Sequence, residues 1–296
     1  MKNIIIILLV ISTILVAVIY KGCLYIKNYK YEVCIEETKS KYTTCIDDGV
    51  TSAPTFSIDG KSILYVINDI EGDKLIKYDI ESNSKTIILN YIGKDIKWPS
   101  FANNENLVLF ASTNNNVCNL YLFNVITKKV TQITNEINNI ISPAISPDGT
   151  RIVFLKHIGD TKYELSIMNI YDKTIKKVYS NEGLFNAPKE PKWSYDSKEI
   201  VFILGYGTSI VILNNNGNAI KEIRPNNING KDYIVFCGNP NYLLLSGESI
   251  SKYQYTDSIY VIDREKEGWT YLKKSRGFTE KELAVSIDGR YIAYRK

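Results

Sequence analysis

One short pattern, returning every 43 to 49 residues, constrains this chain more than any other feature. Ala53-Pro54-Thr55-Phe56-Ser57-Ile58-Asp59-Gly60 recurs as Ser142-Pro143-Ala144-Ile145-Ser146-Pro147-Asp148-Gly149 and, shortened, as Val285-Ser286-Ile287-Asp288-Gly289. Weaker copies are Pro191-Lys192-Trp193-Ser194-Tyr195-Asp196 and Pro99-Ser100-Phe101-Ala102-Asn103-Asn104, and a degenerate copy centres on Asn239. The marker residues 59, 104, 148, 196, 239 and 288 are spaced by 45, 44, 48, 43 and 49. That is the period of a β-propeller blade.

Positions not used to find the repeat agree with it. Three before the marker stand Phe56, Phe101, Ile145, Trp193, Phe236 and Val285. Four after it come Ile63, Val108, Ile152, Ile200, Leu243 and Ile292, and six after it Tyr65, Phe110, Phe154, Phe202, Leu245 and Tyr294. Apolar residues of one parity fit strands packed face to face. The marker groups Asp59, Gly60, Asn104, Asp148, Gly149, Asp196, Asn239, Asp288 and Gly289 read as structural turns, where glycine supplies positive φ and Asp or Asn a side-chain acceptor. A second hairpin follows in each full repeat, its first strand ending on Asp79, Asn124, Asn169, Asn214 or Asp263. Four strands per repeat make one blade. The last repeat stops at Lys296 after two strands, and the stretch from about 31 to 46, with Cys34 and Cys45, reads as the hairpin that completes it. The expected fold is therefore all-β, a six-bladed β-propeller of four-stranded antiparallel blades.

These residues resemble the TolB-like, or WD40-like PD40, propeller repeat, whose hallmark is a Ser-Pro-Asp-Gly turn followed by an Ile-x-Phe strand. Ser146-Pro147-Asp148-Gly149-Thr150-Arg151-Ile152-Val153-Phe154 matches it best, and the likeness covers about residues 31 to 296. The pattern is departed from at Asn103-Asn104-Glu105 and Gly238-Asn239-Pro240. The resemblance implies a place at the cell envelope, with a structural role in an envelope complex as one alternative.

Lys2 precedes an apolar run from Ile4 to Tyr20 of about 17 residues, close to the shortest helix that spans a bilayer. An uncleaved transmembrane helix over residues 1–22, followed by a propeller over 23–296, is the favoured reading. A cleaved signal peptide lacks a small-x-small site, and a lipid-modified Cys23 would follow Tyr20-Lys21-Gly22, with lysine where a small residue is usual. Lys21, Lys27 and Lys30 would hold the following domain in the cytoplasm. A short N-terminus before a signal-like run argues for export, and an extracytoplasmic domain on a single-pass anchor is expected.

The net charge of +4 comes from scattered basic residues, which excludes a phosphate-tracking stripe and with it nucleic acid as partner. A Ser-His-Asp triad needs a histidine, and His157 is the only one in the chain. No Gly-x-Ser-x-Gly elbow occurs. Lyases that work through several histidines fail on the same count, which leaves a divergent carboxylate-based hydrolase or lyase as the enzymatic alternative. Asp47-Asp48 and Glu71-Gly72-Asp73 lack the alternation of a calcium loop, so no metal and no cofactor are expected. Cys34 and Cys45 lie on the two strands of the closing hairpin and would form a disulfide in an oxidising compartment, with buried free thiols as the other reading. Cys118 and Cys237 have no close partner in sequence.

Six before the markers stand Ala53, Trp98, Ser142, Glu190, Tyr233 and Glu282, at the start of the innermost strands. They are expected to ring one mouth of the channel. Trp98, Glu190, Tyr233 and Glu282 would there hold a peptide or glycan, since aromatic surfaces and fixed polar groups are what such sites use. An empty, water-filled channel is the competing reading. The function that follows is a non-catalytic binding module or scaffold, monomeric, with a protein, peptide or glycan as ligand.

Overall fold

The computed structural model describes residues 31–295, with breaks at 41, 93–94, 103–104, 115–116, 136–139, 159–161, 183–186, 206–208, 226–227, 252–253 and 275–280, and two strands at 15–20 and 23–28. Strands β1 (Leu15–Tyr20) and β2 (Cys23–Asn28) pair with each other and with no blade. Over Leu15–Tyr20 this differs from the helix expected for Ile4–Tyr20. Residues 1–14 lie outside the described residues, and Leu15–Tyr20, which carries the β-branched Val16, Val18 and Ile19, forms a strand. No helix among the described residues is long and apolar enough to cross a membrane.

The ring begins with β3 (Glu32–Glu37) and β4 (Thr43–Asp48). Blade one follows as β5 (Thr55–Phe56), β6 (Ser62–Asp69), β7 (Gly72–Asp79) and β8 (Ser84–Ile92). Blade two is β9 (Lys97–Phe101), β10 (Leu107–Asn114), β11 (Val117–Asn124) and β12 (Lys129–Gln132). Blade three is β13 (Ile140–Ile145), β14 (Arg151–Ile158), β15 (Lys162–Asn169) and β16 (Ile175–Glu182). Blade four is β17 (Pro188–Trp193), β18 (Glu199–Leu204), β19 (Ser209–Asn214) and β20 (Ala219–Ile223). Blade five is β21 (Ile228–Phe236), β22 (Tyr242–Ser251), β23 (Gln254–Asp263) and β24 (Trp269–Lys274). The last two strands, β25 (Lys281–Val285) and β26 (Tyr291–Arg295), join β3 and β4 in the order β25-β26-β3-β4. Blade six is thus built from N-terminal and C-terminal strands, and the pairing of β26 with β3 closes the ring.

Six apolar cores hold the ring, one at each seam between neighbouring blades. The second strand of each blade explains how. In β6, Ile63 and Tyr65 enter the seam with blade six, while Leu64 and Val66 enter the seam with blade two. In β18, Ile200 and Phe202 face blade three, and Val201 and Ile203 face blade five. Successive side chains of a strand point to opposite faces, so a strand buried on both must be apolar without interruption. Each fully buried Ile, Leu or Val contributes about 1.5–3 kcal/mol relative to its exposed state.

The marker turns are hydrogen-bonded alike. Asp59 Oδ1 accepts from Ser57 Oγ at 2.6 Å and from the Lys61 N–H at 3.0 Å, and Asp148, Asp196 and Asp288 do the same with Ser146, Ser194 and Ser286. Burial opposes ionisation of these carboxyls, but the hydrogen bonds and the neighbouring cations prevail and hold all four below the usual aspartate value. Asn239 Oδ1 accepts from the Asn241 N–H, and Asn104 lies outside the described residues. After the marker, Gly60, Gly149 and Gly289 have φ of 73°, 73° and 68°. Glu105 and Ser197 adopt the same left-handed backbone at φ 61° without being glycine. Each makes a contact between blades that glycine would not: Glu105 pairs with Lys77, and Ser197 Oγ accepts from the Asp148 N–H at 3.0 Å.

Candidate functional site

The six innermost strands wall a central cavity of about 140 Å³. Its lining follows the repeat. All six residues three before the marker face it, from Phe56 round to Val285, and each is at most 8% exposed. The residues four before the marker, Thr55, Ser100, Ala144, Lys192, Val235 and Ala284, face it as well. Lys192 is the one charged residue among these walls. Sequence reasoning did not single it out, although a lysine among five uncharged residues at one repeat position was a legible signal.

The mouth is shaped by a bulge in the inner strands. Strand pairing shifts register between Leu109 and Ala111 opposite β9, between Ile141 and Ala144 in β13, and between Lys189 and Lys192 in β17. The bulged residues Trp98, Ser142 and Glu190 have φ of 49°, 46° and 47°. A non-glycine residue there costs about 1–2 kcal/mol, and strain of this kind gathers where a structure positions side chains for contact. Ser142 Oγ donates to Glu190 Oε1 at 2.9 Å, and Lys192 Nζ to Glu190 Oε2 at 3.2 Å. The carboxylate is thereby neutralised and held in place, with its side chain 15% exposed.

Of the four residues expected at the mouth, Trp98 and Tyr233 line the cavity. Glu190 is joined to its wall through Lys192. The side chain of Glu282 lies outside the described residues, though its strand, β25, shifts register at the corresponding place. Trp193 packs under the Arg151 guanidinium and donates its indole N–H to the Ala144 carbonyl at 3.1 Å. Trp269 lies on outer strand β24, edge-on to Tyr260 and 39% exposed.

At the opposite end the marker turns converge. The residue before each marker is Ile58, Asn103, Pro147, Tyr195, Gly238 or Ile287. Ile58, Pro147 and Tyr195 line the cavity there. Tyr195 extends past blade five, and its hydroxyl donates to the Val285 carbonyl of blade six. Burial, with Cys237 and Asp288 close by, pushes the pKa of this phenol up. Burial alone takes the Cys237 thiol up to about 12.

Other candidates are absorbed by structure. His157 stacks on Tyr163 with ring centroids 4.6 Å apart. Asp47 accepts from the Tyr65 hydroxyl and pairs with Lys85, and Asp73 accepts from Asn68 Nδ2 and the Ile96 N–H, both at 2.6 Å. Cys34 and Cys45 are opposed across β3 and β4 and are joined as a disulfide. Glu32 lies with them as a trio of potential metal donors within 4.8 Å, but the disulfide consumes both sulfurs.

The family profile of the TolB beta propeller domain, PD40, matches residues 10–224. This chain belongs to that family. The TolB propeller fold also accounts for its likeness to solved structures. TolB from Acinetobacter baumannii superposes with a TM-score of 0.67 at 17% identity, covering 86% of this chain and 66% of that one. Oligogalacturonate lyase from Vibrio parahaemolyticus shares the fold at a TM-score of 0.59 and 12% identity, over 88% of this chain and 76% of the lyase. In sequence, the Tol-Pal system protein TolB of Francisella tularensis is 31% identical over 109 residues, 36% of this TolB-family chain. That stretch spans 25% of the relative's own length.

Proposed function

We propose that this TolB-family propeller is a non-catalytic binding module of the cell envelope that takes a protein partner at the channel mouth ringed by Trp98, Glu190, Tyr233 and Glu282. The observation that carries the reading is the recurrent bulge, which holds Trp98, Ser142 and Glu190 in strained backbone at one rim of an aromatic-walled cavity. The similarity to a Tol-Pal system protein supports a protein as the partner. Residues 1–22 serve as membrane anchor and residues 23–296 as the exported domain, supported by the apolar run from Ile4 and by a disulfide of the kind that persists outside the cytoplasm. The domain acts as a monomeric propeller.

The test is site-specific photocrosslinking in intact cells, with a photoreactive phenylalanine analogue at Trp98 or Tyr233 and, as control, at the exposed Ile126 on the turn-bearing face. Discrete protein adducts from the two mouth positions, abolished by Glu190→Ala and absent at position 126, are the expected result. No adduct from either mouth position would sink the reading. A carboxylate-based enzyme of the lyase kind is the alternative, and it would show turnover of an added polysaccharide that Glu190→Gln removes.

A further inference from the structure

The turn-bearing end of the channel is built differently from the mouth. Gly238 has no side chain to offer there and abuts the Ile287 backbone of blade six, while Tyr195 spans from blade four to blade six. On the far side of blade six the Gly60 turn presses on Ser286, where an added Cβ would come within 3.1 Å of that side chain. The phenol thus reaches across one end of the channel, anchored by its bond to the Val285 carbonyl.

We propose that Tyr195 makes the channel a blind pocket, entered only past Trp98 and Tyr233, and that the pocket takes a single aromatic ring projecting from the ligand. This rests on the mouth being the binding face. Three observations specify the occupant. The volume of about 140 Å³ is close to the roughly 150 Å³ at which an apolar cavity accepts one benzene-sized ring. The walls near the floor are Phe56, Phe101, Trp193 and Phe236, which offer edge and face contacts to a ring. The one charge among the described lining residues, Lys192, is already paired with Glu190, so these residues present no uncompensated charge to attract an ionic group. A blind pocket admits a side chain or a chain end and excludes a polymer threaded through the ring.

The experiment uses the full chain in lipid nanodiscs and follows N-acetyl-4-fluorophenylalanine amide by fluorine NMR. Saturable line broadening is expected, reversed by unlabelled N-acetylphenylalanine amide and not by N-acetylalanine amide. Ala53→Trp, which copies at the mouth the residue blade two already carries, should weaken binding at least tenfold. Tyr195→Phe should leave binding within about twofold, and Tyr195→Ala, which opens the floor, should weaken it several-fold. Absence of saturable binding to the unsubstituted protein overturns the proposal whether or not the variants fold. Undiminished binding by a folded Ala53→Trp protein also overturns it, because the ring would then enter from the turn end. If the probe fails while crosslinks at Trp98 persist, the pocket assignment falls and the mouth reading stands. If the probe binds and no crosslink forms, the ring pocket stands and the protein-partner reading falls.

Discussion

Gly238 of blade five lies so close to the Ile287 carbonyl of blade six that a Cβ on it would come within 1.4 Å of the oxygen. The obstacle is backbone, which has no rotamer to escape into. Gly238→Ala is therefore expected to lower stability by about 3 kcal/mol, at the upper end of overpacking costs. Gly289→Ala meets nothing within 4 Å but sits at φ +68°, and should cost only about 1 kcal/mol. Urea midpoints of the two variants, compared side by side, check the order.

Arg264 of blade five reaches Glu199 of blade four through both Nη atoms, at 2.8 and 3.0 Å, and also donates to the Pro240 carbonyl. The two side chains are 13% and 21% exposed, so solvent screens the pair only in part. Arg264→Ala should cost about 1–3 kcal/mol, the range for hydrogen bonds to charged groups. Arg264→Lys should recover little of it, because an ammonium cannot copy the planar fork. Thermal melts of the two variants are the measurement.

The disulfide between Cys34 and Cys45 closes a loop across β3 and the outermost strand β4, whose burial is slight. With the partners at a sequence separation of 11, loop-closure entropy places its contribution at about 2–3 kcal/mol. Reduction by a dithiol, or Cys45→Ser, should lower the urea midpoint accordingly. The same reductant should leave Cys45→Ser unchanged.

Asp59, Asp148, Asp196 and Asp288 all have folded-state pKa values below their ordinary value. A depressed carboxyl adds stability that is fully present above the unfolded value, near pH 4, and lost as pH falls through the folded value. Urea stability should therefore be flat from pH 7 to 5 and fall below about pH 4. Asp148→Asn keeps an acceptor for Ser146 but does not titrate, and should make that fall shallower.

The fold was legible because a ring repeats one structural problem six times. Phe56, Ile63 and Tyr65 have counterparts in every blade, and all eighteen of these residues are at most 8% exposed. Counting from the marker put Trp98, which lines the cavity, and Glu190 at one repeat position, since position in the repeat is position along the inner strand. Their strained backbone could not be read, because a bulge depends on how β9 and β17 pair with β10 and β18. Lys192 and Tyr195 were missed for a related reason. Lys192 matters through its pairing with Glu190 across the bulge, and Tyr195 through a bond to Val285 some 90 residues away.

The N-terminal segment marks the limit of pattern reading. An apolar run of about 17 residues satisfies the length of a spanning helix; residues 1–14 lie outside the described residues, and Leu15–Tyr20 pair as a strand with Cys23–Asn28. Length and hydropathy alone do not distinguish a helix from a strand where β-branched residues abound.

By itself, the sequence determined the number of blades, the strands within them and the turns between, because hydrophobic parity and an Asp or Asn turn are local and recur six times. Only the tertiary structure decided which side chain reaches across the turn-bearing end of the channel. Tyr195 meets blade six because the Val285 carbonyl lies within reach of its hydroxyl, and such a meeting across three blades has no counterpart in the spacing of residues along the chain.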